Sequence, residues 1–182
     1  MEIKERLKAG NRAYFSLQKI LRSRLLSWSS KIEIYRTVMR PVVMYACETW
    51  VLTSCDKMLL NRWERKILRR IYGPVLEADR WRLRKNDELY NLYGQPSIVT
   101  EIRRARIRWL GHVERMPETR TARMSLYQQP GGQRKRGRPR KRWLDDVEAD
   151  LQSLGVRRWR QRAQDRDAWK RLVEEAKALQ GL

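Results

Sequence analysis

The chain has 182 residues, with 42 Lys and Arg against 21 Asp and Glu, a formal net charge of +21; that balance argues against a compact enzyme acting on small molecules and for a polyanionic partner. Apolar residues make up 41%, with eight Trp and seven Tyr, which excludes a disordered basic tail. Two cysteines and one histidine exclude a disulfide framework and a Cys-rich zinc site. No apolar run has the length of a membrane span and no leader peptide opens the chain, so an intracellular, reducing compartment is expected.

Residues 2–26 read as one amphipathic helix, with Leu7, Tyr14, Leu17, Ile20, Leu21 and Leu25 at helical spacing. Ser30-Lys31-Ile32-Glu33 is a capping-box pattern that predicts a second helix, and Pro41 should kink or end it. The stretch 42–52 is almost wholly apolar and is expected to be buried, so Glu48 within it needs a partner or an exit to solvent. Thr53 to Asp56 predicts the cap of a third helix carrying Leu59, Leu60, Trp63, Ile67, Leu68 and Ile71, stopped by Gly73-Pro74. A short helix is predicted from Asn86 to Gly94. A longer one follows, from Ser97 to about Met116. Its Ile98, Ile102, Ala105, Trp109, Leu110 and Val113 share a face, and Arg103, Arg104, Arg106 and Arg108 crowd the others. A helical turn is expected within 118–127, then helices over about 143–154 and 157–179. No segment alternates convincingly with period two. The predicted class is all-α: an irregular multi-helix array with a basic Gly/Pro-containing linker and a C-terminal helix pair. Its expected segments are 1–73, 74–130, 131–142 and 143–182.

The most distinctive stretch is the linker. Seven of the nine residues from Arg134 to Arg142 are basic: Arg134, Lys135, Arg136, Arg138, Arg140, Lys141 and Arg142. Gly137 and Pro139 keep them out of a regular helix, and Trp143 follows at a helix start. Such a strap has nothing to bury, and the expected role is phosphate binding. Arg136-Gly137-Arg138-Pro139 also matches the core of an AT-hook, which lies in the narrow minor groove of A·T tracts; the plainer reading is a solvated basic linker.

Four stretches, taken together and in order, resemble one family. They are Y-R-T-V-M-R-P-V-V-M-Y-A-C-E-T-W at 35–50, R-W-L-G-H-V-E-R-M-P at 108–117, G-R-P-R-K-R-W-L-D-D-V at 137–147 and A-Q-D-R-D-A-W at 163–169. They resemble the C-terminal part of the reverse transcriptase of LINE-type, non-LTR retrotransposons. The resemblance implies a helical thumb over 1–73, and beyond it a basic region that engages template RNA and target DNA in the nucleus. The family's fingers, palm, endonuclease and zinc knuckle have no counterpart here. The expectation is therefore a truncated or host-encoded remnant that binds RNA or DNA, with no catalysis and no cofactor of its own. The alternative is a structural remnant that docks on a polymerase palm, or on a second copy, through residues 42–52.

Asp145-Asp146 superficially suggests a polymerase metal site, but first-turn carboxylates are favoured by the helix dipole, and a two-metal site needs a third carboxylate. His112 is expected to be packed or half-buried, and Cys47 and Cys55 to be small core residues. Six of the eight Trp adjoin a basic residue. Most are expected in the core; Trp81 and Trp143, near loop boundaries, are the candidates for base stacking. The candidate nucleic-acid residues are thus the seven strap cations, the four arginines at 103, 104, 106 and 108, and Trp143.

Overall fold

The computed structural model describes residues 2–127 and 142–178, and the fold is all-α. The helices are α1 (Glu2–Ser16), α2 (Gln18–Arg22), α3 (Trp28–Ile34), α4 (Arg40–Met44), α5 (Ser54–Tyr72), α6 (Asn86–Tyr93), α7 (Ile98–Glu114), α8 (Thr121–Tyr127), α9 (Trp143–Ser153), α10 (Trp159–Gln164) and α11 (Arg166–Glu175). One two-stranded hairpin, β1 (Val75–Glu77) and β2 (Arg80–Arg82), is the sheet structure among the described residues. The chain forms two compact units, one of Met1–Tyr45 with Thr53–Val99, the other of Ala46–Leu52 with Thr100–Leu182. The division falls at none of the boundaries expected from sequence.

The first unit is built on α5. Thr53 and Asp56 form a reciprocal capping box at its start, and Gly73 closes it at φ 69°, a backbone angle that suits glycine. Leu60, Trp63, Ile67, Leu68 and Ile71 face inward, as their spacing predicts, joined by Tyr14, Leu21, Tyr35, Met39 and Leu89. At the centre lies a carboxylate, Glu64, fully out of water. It accepts hydrogen bonds from the hydroxyls of Tyr35 (2.7 Å) and Tyr90 (3.1 Å) and from the Ile98 amide (2.9 Å). Arg40 sits 3.8 Å away and reaches the Tyr93 hydroxyl and the Pro96 carbonyl. Glu64 therefore supplies an acceptor to the first amide of α7, where a negative charge is favoured.

Several sequence expectations change here. The predicted helix over 2–26 is two helices and a loop, and Leu25 is 97% exposed. The second helix starts a turn early, because Ser27, not Ser30, accepts the capping bond, from the Ser30 amide. Pro41 neither ends nor breaks it. The turn Tyr35–Met39 widens to π geometry, with the Arg40 amide bonding the Tyr35 carbonyl, and α4 continues with Pro41 near its start. A proline ring clashes with the carbonyl four residues before it, and a widened turn relieves that clash. Residues 42–52 are not uniformly buried. Val43, Cys47, Trp50 and Leu52 are, but Val42 is at the surface and Tyr45 is 65% exposed.

The second unit packs Ile107 and Leu110 of α7 against Val147, Leu151, Val156, Trp159, Ala163, Trp169, Leu172, Val173 and Ala176. The C-terminal stretch is not one helix: the Asp165 side chain accepts from the amides of Asp167 and Ala168 and starts α11 afresh. Trp169 lies over Gly111 and donates its indole N–H to the Ile107 carbonyl at 3.0 Å. Charge also enters this core. Arg106, 1% exposed, meets Asp146 at 2.5 Å and Asp150 at 3.1 Å, and Arg103 lies 3.5 Å from Asp150. Arg104, also buried, holds Glu101 at 2.6 Å, Glu174 at 2.7 Å and the Val173 carbonyl at 3.1 Å. Asp146 and Asp150, one turn apart on α9, thus close on arginines one turn apart on α7.

Two measurements check this packing. A Cβ at Gly111 would sit 2.0 Å from the Trp169 indole nitrogen. Alanine favours a helix over glycine by about 1 kcal/mol, but overpacking of this kind costs about 1–3 kcal/mol, and here it also displaces a hydrogen bond. Gly111→Ala should lower the urea midpoint, the reverse of its effect in an exposed helix. The second check is pH. Burial pushes the Glu64 carboxyl above the ordinary glutamate value of 4.5, against the opposing influence of Arg40 and its hydrogen bonds. A raised carboxyl binds protons more readily folded than unfolded, so its contribution is full below 4.5 and fades as pH rises through the folded value. Lowering pH from 7 towards 4.5 should therefore favour the folded protein through this group, and Glu64→Gln should remove that part of the pH dependence in chemical denaturation.

Candidate nucleic-acid interface

Of the candidate residues, Arg134, Lys135, Arg136, Arg138, Arg140 and Lys141 lie outside the described residues. Arg142 is exposed at the N-cap of α9. Trp143 is partly buried, and its indole N–H donates to the Glu48 carbonyl at 2.7 Å. It ties the 46–52 segment to α9 and packs against the core of the second unit, so it is not the open loop-boundary ring expected of a stacking residue. The arginines of α7 divide. Arg104 and Arg106 are interior and ion-paired, and Arg103 is mostly covered beside Asp150, so the view of these three as solvent-facing cations does not hold; Arg108 alone of the four is exposed. Apart from Glu101, three residues before Arg104 on α7 itself, their acidic partners lie forty or more residues away in the sequence, so a helical wheel of α7 cannot show them.

His112 is exposed, not half-buried, with its ring 5.4 Å from that of Trp109. Cys55 is exposed as well, while Cys47 is buried and its thiol is pushed up to about 12 by burial and then by Glu48. Such a thiol stays protonated and is a poor nucleophile. Among the described residues, no group of three or more His, Cys, Asp and Glu stands ready to hold a metal ion.

A cationic face that the sequence left unremarked runs along α5. Arg62, Lys66 and Arg70 are exposed at successive fourth positions, opposite the apolar stripe. Among the described residues, none of them meets a carboxylate. Lys66 Nζ stands 4.9 Å from the centre of the Tyr14 ring and 5.3 Å from that of Phe15, and Arg70 Nε donates to the Tyr14 hydroxyl at 3.3 Å. Phe15 is 61% exposed, and Arg12, one turn before it on α1, is exposed too. An open aromatic ring among unneutralised cations is the arrangement with which single-strand binders stack a base and hold its phosphates. The signal was present in the sequence as Arg62, Lys66 and Arg70 at i, i+4 and i+8. Phe15, however, gives no hint of exposure until α1 is placed.

The hairpin offers a second open ring. Leu76 and Trp81 are directly opposite in its register, and Trp81 is 70% exposed. Arg82 pins the hairpin to Glu77 and reaches Glu88 at 2.6 Å. The Arg82 bonds, and then the Lys85 amide, hold the Glu88 carboxyl down to about 2. Arg80, beside Trp81, remains exposed. Trp81 thus has the exposure that a stacking residue requires.

No family model, curated protein or solved structure matches this chain.

The α5 face makes a quantitative prediction. Changing Arg62, Lys66 and Arg70 together to Gln should reduce the slope of log affinity against log salt on duplex DNA by roughly 2 to 3, since each neutralised phosphate contributes about 0.9. Phe15→Ala should leave that slope alone and weaken single-stranded oligonucleotides by about 1 kcal/mol or more. Filter binding across a salt series reads both.

Proposed function

We propose that this chain is a nucleic-acid-binding fragment that corresponds to the thumb and basic C-terminal region of a LINE-type reverse transcriptase, acting in the nucleus and without polymer chemistry of its own. The observation that carries the proposal is the surface charge. Of the 21 Asp and Glu, Glu64, Glu114, Asp146 and Asp150 are interior, while cations such as Arg12, Arg62, Lys66, Arg70 and Arg108 stay at the surface. With a net charge of +21, that distribution suits a polyanion. The order of the four sequence stretches supports the family assignment, and the helical fold agrees with a thumb. No helix among the described residues is long and apolar enough to cross a membrane. The docking alternative through residues 42–52 loses most of its surface, because Cys47, Trp50 and Leu52 are buried and chiefly Val42 and Tyr45 remain open.

The decisive experiment compares the full chain with a variant in which Arg134, Lys135, Arg136, Arg138, Arg140, Lys141 and Arg142 are all Gln. If about five of them each neutralise a phosphate, the strap contributes roughly −4 to −5 to the salt slope on duplex DNA, and the variant should show a correspondingly shallower line on every sequence. A loss confined to A·T-rich duplexes would assign Arg136 and Arg138 to the minor groove. An unchanged slope would leave binding to the α5 face. A wild-type chain that binds neither RNA nor DNA at low salt would sink the proposal, and so would one that extends a primer on an RNA template with magnesium.

A further inference from the structure

The second unit contains a recess of about 800 Å³ whose lining includes His112, Arg115, Arg120 and Arg166, together with Met116 and Pro117. Among the described residues, no carboxylate lines it. Of the acidic residues nearest in sequence, Glu114 takes the Tyr127 hydroxyl, Glu118 lies 3.8 Å from Arg123, and the Asp165 carboxylate is turned onto the amides of Asp167 and Ala168, while Asp167 is exposed outside the lining. Three guanidinium groups and an imidazole therefore share one concavity with no counter-charge from the described residues in its wall. Like charges so placed repel, and burial together with the nearby Arg166 charge lowers the Arg115 pKa.

The walls are fixed in place. Arg115 Nη1 donates to the Ala163 carbonyl at 2.5 Å. Arg123 donates to the carbonyls of Glu114 and Met116, and the Arg120 amide bonds the Pro117 carbonyl at 3.0 Å. The segment that carries Arg115 and Arg120 is thus held at its backbone, so a ligand meets a wall and an Arg115 side chain already in position. Arginines around a recess match the several oxygens of a phosphate through charge-assisted hydrogen bonds.

From this geometry we infer that the recess is a phosphate-binding site, occupied by a phosphate group of the nucleic acid assigned above; the source of the phosphate rests on that reading, while the site itself rests on the recess. Either an internucleotide phosphate or a 5′-terminal phosphate satisfies it.

His112 is the chain's single histidine, so its ring protons give one unambiguous pair of nuclear magnetic resonance signals from inside the recess. The full chain is titrated with inorganic phosphate, with a 5′-phosphorylated single-stranded oligonucleotide, and with the same oligonucleotide ending in a hydroxyl. The expected result is a saturable shift of the His112 signals with the phosphorylated strand. In the double variant Arg120→Gln, Arg166→Gln, both residues being exposed and so dispensable for folding, the midpoint should move by about tenfold or more, as loss of charge-assisted bonds predicts. An equal response to both strands assigns the recess to a backbone phosphate; a response to the phosphorylated strand alone assigns it to the terminus. If the oligonucleotides bind by fluorescence polarisation while the His112 signals stay fixed, or move equally in the double variant, the recess is not a phosphate site. If inorganic phosphate moves them and no oligonucleotide binds, the site stands and the nucleic-acid reading falls.

Discussion

In the first unit the carboxylate of Glu64 receives three hydrogen bonds and faces Arg40; in the second, Asp146 and Asp150 close on Arg106. Each arrangement brings charge into a largely apolar and aromatic interior. Replacing such a cluster by apolar side chains of the same volume is often harmless, but removing one member strands the others without water. Their value is therefore one of specificity. Glu64 recognises the first amide of α7 and two tyrosines on different helices, and Arg106 recognises a pair of aspartates at helical spacing. A shifted helix register in either unit would leave a charge buried and unmatched.

A chain with half as many acids as bases that places some of those acids inside has fewer left to neutralise its surface. The α5 face shows the result: among the described residues its cations meet aromatic rings and a tyrosine hydroxyl, and not carboxylates. Self-repulsion of this kind lowers the stability of the free protein, and a bound polyanion restores it by mass action as well as by screening. Folding and binding are therefore thermodynamically linked here, even where no side chain serves both.

Much of the fold was legible because its signals are local. Thr53 with Asp56, and Gly73 with Pro74, bracket α5 in the sequence as they do in space, and the apolar face between them follows a single period. What escaped depends on distant partners. Arg104 and Arg106 look like surface cations until Glu174, Asp146 and Asp150 are brought beside them. Pro41 reads as a helix breaker because the widened turn ahead of it carries no composition signature. The sequence stretches that suggested a family prove to be packing elements of the second unit in part: Glu48 of the first meets Trp143 of the third, and Gly111 of the second lies beneath Trp169 of the fourth. The candidate interface was less legible still. The spacing of Arg62, Lys66 and Arg70 could be read, but the exposure of Phe15 depends on how α1 lies against α5.

The path of the chain between its two units has a practical consequence. It leaves the first unit after Tyr45, returns at Thr53 and leaves again after Val99, so seven residues upstream of α5 belong to the unit completed by the C-terminal half. No single backbone cleavage can divide such a molecule into two whole folding units. A nick at residue 73 would separate α6 from α5, and one at 99 would take Cys47, Trp50 and Leu52 away from the helices in their own unit. Expression of either half alone would thus yield an incomplete core, and a dissection of the molecule must either carry the 46–52 segment across or rejoin the pieces in trans.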